Sequence, residues 1–213
     1  MEITILSDLH GFYPKLEGGD LLVVAGDLTA KDRPEEYDEF NNWIAKQKYQ
    51  TKVVIAGNHD NLLQKDRTYL DPEITYLQDS GTEFEGLKVW GSPWTKRFDG
   101  MNPKCMAFTV DTDDELAEKW AMIPEDTGIL ITHSPPLGIY DQIKHTGDYV
   151  GSKSLRCKID KLNKLLLHCF GHIHECGCRR TKLVGFGKEM YVVNASYVDE
   201  NYTPVNNAMR IVL

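Results

Sequence analysis

The sequence predicts an α/β layered fold, in which buried strands alternate with helices and two hairpins complete the sheets. The main observation is a series of short apolar runs rich in β-branched residues, which are typical of strands buried on both faces. The runs are ITIL (3–6), LLVVA (21–25), VVIA (53–56), ILIT (129–132), LLLHCF (165–170) and YVVNA (191–195). Because helical patterns separate several of these runs, we expect helical crossovers between parallel strands.

Three helices are predicted from capping residues and helical periodicity. In DRPEEYDEFNNWIAKQK, Asp32 is the predicted N-cap, acidic residues fill the first turn, and apolar residues then recur at helical spacing. A second helix is predicted in DTDDELAEKWAMI, just before Pro124, and a third in SLRCKIDKLNKLL, capped by Ser152 or Ser154. The hairpins are predicted in TEFEGLKVWGS and TKLVGFGKEMYVV.

Length and composition indicate one compact domain spanning residues 1–213. The 213 residues can bury a substantial core, and no repeat or linker marks a boundary. The 24 basic and 32 acidic residues give a net charge of −8, which argues against binding to duplex nucleic acid or an anionic membrane. The amino terminus resembles no signal peptide and no run is long enough to span a membrane, so we expect a cytoplasmic protein. The five cysteines are then expected to be reduced.

Polar side chains capable of binding metal follow the predicted strands one after another. They lie in SDLH, GD, GNHD, TH and GHIH, and five of the seven histidines of the chain are among them. The residues are Asp8, His10, Asp27, Asn58, His59, Asp60, His133, His172 and His174. Open α/β sheets form their ligand sites beyond the carboxyl ends of the strands, so we expect these five loops to meet.

The predicted ligands are two carboxylates, one amide oxygen and four imidazoles, with no thiolate among them. This set suits a borderline divalent metal, with manganese expected and iron, zinc or nickel as alternatives. Seven ligands exceed what one ion takes, so two ions are expected. Two such cations would keep a local positive charge that attracts a phosphate ester. They would also supply a hydroxide nucleophile and clamp both oxygens of an in-line displacement.

The series DLH, GD, GNHD, TH and GHIH resembles the calcineurin-like metallophosphoesterases, whose pattern is DxH, GD, GNH(D/E), H and GHxH. The resemblance implies a four-layer αββα sandwich, with two mixed sheets flanked by helices, and a binuclear metal site. It assigns Asp8, His10 and His174 to the first metal and Asn58, His133 and His172 to the second, with Asp27 as the bridge. His172 and His174, although only two residues apart, would therefore serve different metals.

The histidine of GNHD has no ligand role in the family pattern. The resemblance implies that His59 is the general acid that protonates the leaving oxygen, with Asp60 orienting its ring or raising its pKa. The alternative is that His59 only donates a supporting hydrogen bond.

Longer stretches resemble a narrower group, the small metallophosphoesterase-domain proteins described as cyclic-nucleotide-phosphodiesterase-like. These stretches are GSPWTKRF, THSPPLG, GHIHECG and VNASYVDENYTPVN. From them, Trp94 and Asn194 are expected to line the substrate pocket, although a buried structural role is the alternative for Trp94. Many family members carry GDxxDR after the second strand; here Ala30 replaces the aspartate and Arg33 is displaced. This departure argues against protein-phosphatase activity and favours small diesters.

The expected function is therefore a phosphodiesterase for small nucleotide-like diesters, using in-line attack by a metal-bridging hydroxide with His59 as general acid. A phosphomonoesterase is one alternative. Another is a non-catalytic scaffold of the same fold that binds nucleotides or proteins. Cys176 and Cys178 follow GHIH closely, but two thiols cannot complete a structural zinc site, so we expect ordinary thiols.

Overall fold

The computed structural model describes residues 1–98, 101–185 and 188–213. Its strands are β1 (Glu2–Leu6), β2 (Gly19–Ala25), β3 (Tyr49–Ile55), β4 (Thr75–Tyr76), β5 (Ser80–Phe84), β6 (Leu87–Ser92), β7 (Thr95–Lys96), β8 (Thr109–Val110), β9 (Thr127–Thr132), β10 (Leu167–Phe170), β11 (Arg179–Gly185), β12 (Lys188–Asn194) and β13 (Met209–Val212). Its α-helices are α1 (Pro34–Ala45), α2 (Asn61–Lys65), α3 (Asp113–Ala121) and α4 (Lys153–Lys161). Short 3₁₀ turns occupy Arg67–Tyr69 and His174–Cys176.

The strands form two large mixed sheets and a small two-stranded pair, β7–β8. In the first sheet, with the order β13-β1-β2-β3-β4, only β13 is antiparallel to its neighbour. In the second, with the order β11-β12-β10-β9-β6-β5, the four inner strands are parallel and both edge strands are antiparallel. The predicted mixed α/β architecture is confirmed.

Alternation along the strands explains why the predicted runs are apolar throughout. In β2, Leu21 and Val23 face a core shared with the second sheet, whereas Leu22 and Val24 pack on the side of α1. In β9, Ile129 and Ile131 face the shared core, while Leu130 joins the apolar cluster that contains residues of α3 and α4. The layers are therefore helix, sheet, sheet and helices, as the four-layer sandwich requires.

The helix starts follow local capping chemistry, with one correction. The N-cap of α1 is Arg33, with Pro34 at the first helical position, and not the predicted Asp32. Asp32 instead adopts a left-handed backbone, and its carboxylate accepts hydrogen bonds from the hydroxyl of Tyr37 (2.7 Å) and the amide of Leu62 (3.0 Å). Of the two candidates for α4, Ser152 is the N-cap, because its hydroxyl accepts from the amide of Leu155.

Both predicted hairpins are present. Strands β5 and β6 pair across Glu85 and Gly86, which both have positive φ, and β11 pairs with β12. The turn of the second hairpin, residues 186–187, lies outside the described residues.

The two sheets are joined at the carboxyl ends of their parallel strands. The amide of Ser7, just after β1, donates to the carbonyl of Ala195, just after β12, at 2.9 Å. The amide of Tyr197 donates to the carbonyl of Ser7 at 2.8 Å. The amide of Ala195 donates to the carbonyl of Phe170, at the end of β10. The loops that follow β1, β10 and β12 therefore start from the same edge of the molecule. Within the described ranges, no helix has the length and apolar character needed to cross a membrane.

Candidate metal centre

Asp27, the buried residue that follows β2, lies at the centre of the converging loops. Its Oδ2 atom is 3.7 Å from Nε2 of His10, which follows β1, and 3.4 Å from Nε2 of His133, which follows β9. Nε2 of His59, from the loop after β3, lies 3.9 Å from the same oxygen. Loops from both sheets thus reach one carboxylate, as the strand-end pattern predicted.

A first group of side chains lies on one side of Asp27. The potential ligand atoms of Asp8, His10, Asp27 and His174 all lie within 4.8 Å of one another. Nε2 of His174 is 3.3 Å from Nε2 of His10 and 3.3 Å from Oδ1 of Asp8. This first group contains the three ligands that the resemblance assigned to the first metal, together with the assigned bridge.

A second group of side chains also adjoins Asp27, through His133. The amide oxygen of Asn58 is 3.0 Å from Nε2 of His133, and the ring centroids of His133 and His172 are 5.1 Å apart. The amide nitrogen of Asn58 donates to the carbonyl of Cys105 at 3.1 Å, which leaves its oxygen turned toward His133. Together with Asp27, this second group contains the ligands that the resemblance assigned to the second metal.

Four of the predicted ligands have left-handed backbones. The φ angles are 52° at Asp8, 44° at His10, 53° at Asp27 and 68° at His172. Non-glycine residues rarely adopt this conformation, which costs about 1–3 kcal/mol and is concentrated at functional sites. The sharp turns after β1, β2 and β10 are therefore held against local strain by the surrounding structure.

The glycines of the GNHD and GHIH motifs make room for the two carboxylates. A Cβ atom at Gly171 would overlap the carboxylate of Asp8, and one at Gly57 would overlap the carboxylate of Asp27. Any larger residue would therefore displace these two carboxylates. The motif spacing thus has a packing reason beside its chemical one.

Backbone carbonyls orient two of the imidazoles. Nδ1 of His133 donates to the carbonyl of Ala25 at 2.9 Å, and Nδ1 of His174 donates to the carbonyl of Asp199 at 3.2 Å. Because a carbonyl only accepts, the proton must lie on Nδ1, which leaves Nε2 of the neutral ring as an acceptor facing the centre. This is the tautomer that binds a metal through Nε2.

Asp8 is held by hydrogen bonds from residues that follow the carboxyl ends of two inner strands of the second sheet, β10 and β12. Its carboxylate accepts from the hydroxyl of Ser196 at 2.6 Å and from the amide of His172 at 3.0 and 3.1 Å. Burial raises the pKa of Asp8, but the hydrogen bond and the attraction to His174 outweigh it, so the pKa lies below its usual value. Asp8 therefore carries a negative charge.

The remaining charges at the centre are set by burial and by Asp27. Burial lowers the pKa of His10 to about 4 and that of His172 to about 3, so both rings are neutral at pH 7. For His133 burial also disfavours the charged form, but attraction to Asp27 prevails and raises the pKa to about 9. Burial alone would raise the pKa of Asp27, yet His133 and His59 hold it well below its usual value. A cation here would compete with the proton of His133.

The centre fits divalent cations. It combines two ionised carboxylates, an amide oxygen and four imidazoles, with Nε2 of His10 and His174 only 3.3 Å apart. Two facing acceptors repel unless a proton or a cation lies between them. This donor set is one that borderline divalent metals prefer.

The centre opens into a cleft of about 820 Å³. Its floor includes Asp27, Asn58, His59, His172 and His174. Its walls include Lys96, Phe98, Tyr149 and Tyr202. A small molecule entering the cleft would therefore meet both groups of predicted ligands.

His59 and Asp60 are neighbours in sequence but lie in different environments. The His59 side chain is 13% exposed, and its ring contacts that of His10 edge-on at 4.6 Å. Its backbone amide donates to Oδ1 of Asp27 at 2.8 Å. The expected contact between Asp60 and the His59 ring is absent from the hydrogen bonds of the described residues. Asp60 is buried and accepts instead from the amides of Gly57 (2.8 Å) and Leu28 (3.1 Å), so it ties two loops together.

Trp94 and Asn194 are both engaged in structural contacts. The indole of Trp94 donates to Asp79 at 2.6 Å and packs edge-on against Phe108, and Trp94 is not among the described residues that line the cleft. The buried Asn194 donates to the carbonyl of Ile173 at 3.0 Å, between the two histidines of GHIH. These contacts correspond to the structural alternative for Trp94 and indicate that Asn194 supports a loop.

The structure also shows the positions of the displaced Arg33, of the basic residues after Trp94, and of the thiol of Cys178. Arg33 is exposed at the start of α1, and Arg97 pairs with Asp111 at 3.1 Å. Lys96 lines the cleft. The Cys178 thiol donates to the carbonyl of Asn207 and contacts Met209. No cysteine belongs to the Asp/His cluster found within the described ranges.

Sequence reasoning did not identify three residues that complete the first group. They are Ser196, which bonds to Asp8, Asp199, whose carbonyl orients His174, and Tyr202, whose ring lies 4.8 Å from that of His10. All three belong to the stretch VNASYVDENYTPVN, which was noted for its resemblance as a whole. Nothing in its composition distinguishes these residues, because two of the contacts come from a hydroxyl and a backbone carbonyl.

Comparison with known proteins finds relatives among the phosphoesterases. The family model described as calcineurin-like phosphoesterase matches residues 1–176. Metallophosphoesterase domain-containing protein 1 of Homo sapiens is 36% identical over 214 residues, covering 88% of this chain and 63% of the relative, and the Mus musculus protein gives the same values. A 3′,5′-cyclic-nucleotide phosphodiesterase of Nostoc is 23% identical over 173 residues, covering 81% of this chain and 61% of the relative. The chain thus spans about three fifths of the length of these relatives.

A solved crystal structure is similar in fold. It aligns with a TM-score of 0.64 at 14% identity and covers 91% of this chain and 89% of its own. At this identity the likeness concerns the architecture alone.

Proposed function

This chain belongs to the calcineurin-like phosphoesterase family, and on that premise we propose that it hydrolyses small phosphodiesters with the help of two divalent metal ions. Family membership suggests a phosphoester hydrolase. The Asp/His cluster is a candidate site for a metal. The diester preference, the pair of ions and the roles of individual residues are our proposal, with manganese as the expected ion and iron, zinc or nickel as alternatives.

One observation carries the proposal. Oδ2 of Asp27 lies 3.7 Å from Nε2 of His10, in the first group, and 3.4 Å from Nε2 of His133, in the second. A carboxylate between two sets of acceptors is what a bridging ligand requires. The arrangement supports two adjacent sites better than one, because a single ion does not take seven ligands.

The charge of the cleft supports an anionic substrate. Two divalent ions would outweigh Asp8 and Asp27 and would attract a phosphate ester to the centre at the base of the cleft. Bound ions of this kind supply a nucleophile from water near neutral pH and stabilise charge on the phosphoryl group.

His59 is proposed to donate a proton to the leaving oxygen. Its ring borders the cleft and is partly exposed, so a substrate atom can reach it. Oδ2 of Asp27 lies 3.9 Å from Nε2 of the ring. Asp60 acts one step away, by fixing the loop that carries His59.

The preference for diesters is supported by two observations. Arg33 lies exposed at the start of α1, so the arginine that many relatives carry after GD is displaced here. The Nostoc relative is named as a cyclic-nucleotide phosphodiesterase. The ratio of rates for p-nitrophenyl phosphate and bis-p-nitrophenyl phosphate decides between a monoesterase and a diesterase.

The proposed function is tested with purified protein stripped of metal and reloaded. Protein loaded with Mn²⁺ is expected to hydrolyse bis-p-nitrophenyl phosphate, and EDTA is expected to stop the reaction. With a cyclic nucleotide, whose leaving oxygen is an alkoxide that must gain a proton, His59→Ala should lower kcat by about 10²- to 10⁴-fold, the usual contribution of a general acid, while metal content stays unchanged. The loss should be smaller with bis-p-nitrophenyl phosphate, because p-nitrophenolate leaves as a stable anion.

The matched control is His145→Ala, which removes a histidine at the rim of the cleft whose side chain is 76% exposed. It should retain turnover. Absence of hydrolysis of either ester with Mn, Fe, Zn or Ni would remove the enzymatic proposal and leave a binding scaffold. Full activity of His59→Ala would remove only the proposed acid.

A further inference from the structure

A tight turn near the carboxyl end of the chain places an aromatic ring on the predicted metal centre. The turn spans residues 199–203, beyond the range 1–176 that the family model matches. The Tyr202 ring centroid lies 4.8 Å from that of His10, 5.1 Å from His174 and 6.0 Å from His59. Tyr202 thus touches the first group of predicted ligands and neighbours the proposed acid.

The turn holds this ring in a fixed position. The carboxylate of Asp199 accepts from the amides of Asn201 and Thr203, both at 2.9 Å, and the amide of Asp199 donates to the carbonyl of Thr203 at 2.9 Å. Tyr202 itself has a φ of 59°, a left-handed conformation that is unfavourable for a bulky residue. The local bonds offset that strain, so the ring position is a property of the folded chain.

Half of Tyr202 remains available to a ligand. The residue is 48% exposed and lines the cleft, and no hydrogen bond of its hydroxyl is found among the described residues. One part of the ring packs on the histidines and another faces the cleft. A flat aromatic surface therefore lies directly beside the charged and polar groups of the first group.

The position of His59 indicates which part of a substrate would meet this surface. A general acid must lie within hydrogen-bond reach of the leaving oxygen, so the group attached to that oxygen lies beside His59. Tyr202 is the neighbouring aromatic wall. Aromatic rings pack well on other flat apolar groups, with a preference of about 0.5–1.5 kcal/mol.

We propose that Tyr202 contacts the substrate and binds its leaving group, and that it favours a flat aromatic group such as an aryl ring or a nucleobase. This inference rests on the proposed function and specifies the substrate class within it. Selectivity would then reside in a segment that the family motifs do not include.

The test separates ring contact from general damage by comparing two ligands, one with a phenyl ring and one without. Dissociation constants of phenylphosphonate and methylphosphonate are measured by calorimetry with Mn²⁺-loaded protein, for the parent chain, Tyr202→Ala and Tyr202→Phe. Tyr202→Ala should weaken phenylphosphonate binding about three- to tenfold and leave methylphosphonate unchanged. Tyr202→Phe, which keeps the ring, should bind both like the parent chain.

Kinetics provide the second measurement. With methyl p-nitrophenyl phosphate, whose only flat group is the leaving group, Tyr202→Ala should raise KM by a similar factor. The matched control is Val205→Ala, an exposed residue of the same segment that is not among the described residues lining the cleft. Metal content should be equal in all variants.

Two results would overturn the inference. One is unchanged phenylphosphonate binding in Tyr202→Ala, and the other is equal weakening of both phosphonates. Failure of the proposed function looks different, because the parent chain would then hydrolyse no ester while the phosphonate titrations still report on Tyr202.

Discussion

The two groups of predicted ligands that meet at Asp27 differ in charge. The first group has two carboxylates, Asp8 and Asp27, facing two imidazoles, whereas the second has only the shared Asp27 beside an amide and two imidazoles. Buried carboxylates bind a cation more strongly than neutral ligands do. If both groups bind metal as proposed, the first should bind its ion more tightly, and loading should occur in two phases.

The two groups also differ in where their support comes from. The second group is held by the carbonyls of Ala25 and Cys105, both within the range that the family model matches. The first group depends on Ser196 and on the carbonyl of Asp199, which lie beyond residue 176. The sequence motifs alone therefore do not define the geometry of the first group. Its geometry requires the carboxyl-terminal segment to be folded back onto β1.

Removal of the shared carboxylate should have the largest effect. Asp27→Asn keeps the shape of the side chain but leaves both groups without their common charge. Loss of one partner from a buried charged set costs about 3–5 kcal/mol, so metal affinity should fall by about 10²- to 10³-fold or more in both phases, and turnover should fall with it. Elemental analysis after gel filtration measures the bound metal.

Asp141→Asn is the matched control for this change. Asp141 is also a buried aspartate, but its carboxylate accepts from the amides of Gly138 and Gly151 and it does not belong to the cluster. It should retain full metal content. Equal metal content in Asp27→Asn and the parent chain would contradict the bridging role, and with it the comparison of two groups around one carboxylate.

The sequence placed the candidate ligands of both groups at strand ends, but it did not indicate the residues that support the first group. Strand ends are visible as apolar runs, and the residues that follow them are within one or two positions of a strand, so Asn58 and His133 could be assigned to a common edge. Ser196 and Asp199 carry no such signal. Their contacts depend on the path of the chain after β12, which results from the pairing of Ser7 with Ser196 across the two sheets.

Local errors have local physical causes. Asp32 looks like a helix cap, but Tyr37 and Leu62 provide better partners for its carboxylate, and Pro34 fixes the helix start one residue later. Asp60 was expected to face its neighbour His59, yet it bonds to backbone amides, because a buried carboxylate is stabilised by every donor that it can reach. In both cases the residue type correctly indicated a hydrogen-bonded carboxylate, but the sequence did not identify the partner of that carboxylate.

Ser196→Ala should affect one group and spare the other. The change removes a 2.6 Å hydrogen bond to the carboxylate of Asp8. Loss of a hydrogen bond that orients a ligand typically weakens metal binding about 10- to 100-fold. We therefore expect the tighter Mn²⁺ phase to weaken by this factor and the other phase to stay unchanged, as measured by titration against a competing chelator.

A serine in the second sheet provides the control. Ser92 is fully buried and its hydroxyl donates to Asp79 at 2.6 Å, an equivalent bond that involves no predicted ligand. Ser92→Ala should lower the free energy of unfolding to a similar degree and leave both metal phases intact. Equal weakening of both phases in Ser196→Ala would mean that the two groups cannot be treated separately.

The smallest effect is expected at the residue that touches both groups through the backbone. Asn194 donates to the carbonyl of Ile173 (3.0 Å) and its oxygen accepts from the amide of Ser196 (3.1 Å), so it links the loop of His172 and His174 to the segment behind Asp8. Asn194→Ala leaves buried backbone groups without partners, which should cost about 1–3 kcal/mol of unfolding free energy and lower Tm by a few degrees.

The same variant distinguishes two roles of Asn194. A positioning role predicts weaker binding in both metal phases with an unchanged KM. A direct substrate contact, as expected from the sequence, predicts a higher KM with unchanged metal binding. Asn206→Ala removes only a hydrogen bond to the carbonyl of Ser196, and this variant is the reference for a general loss of stability.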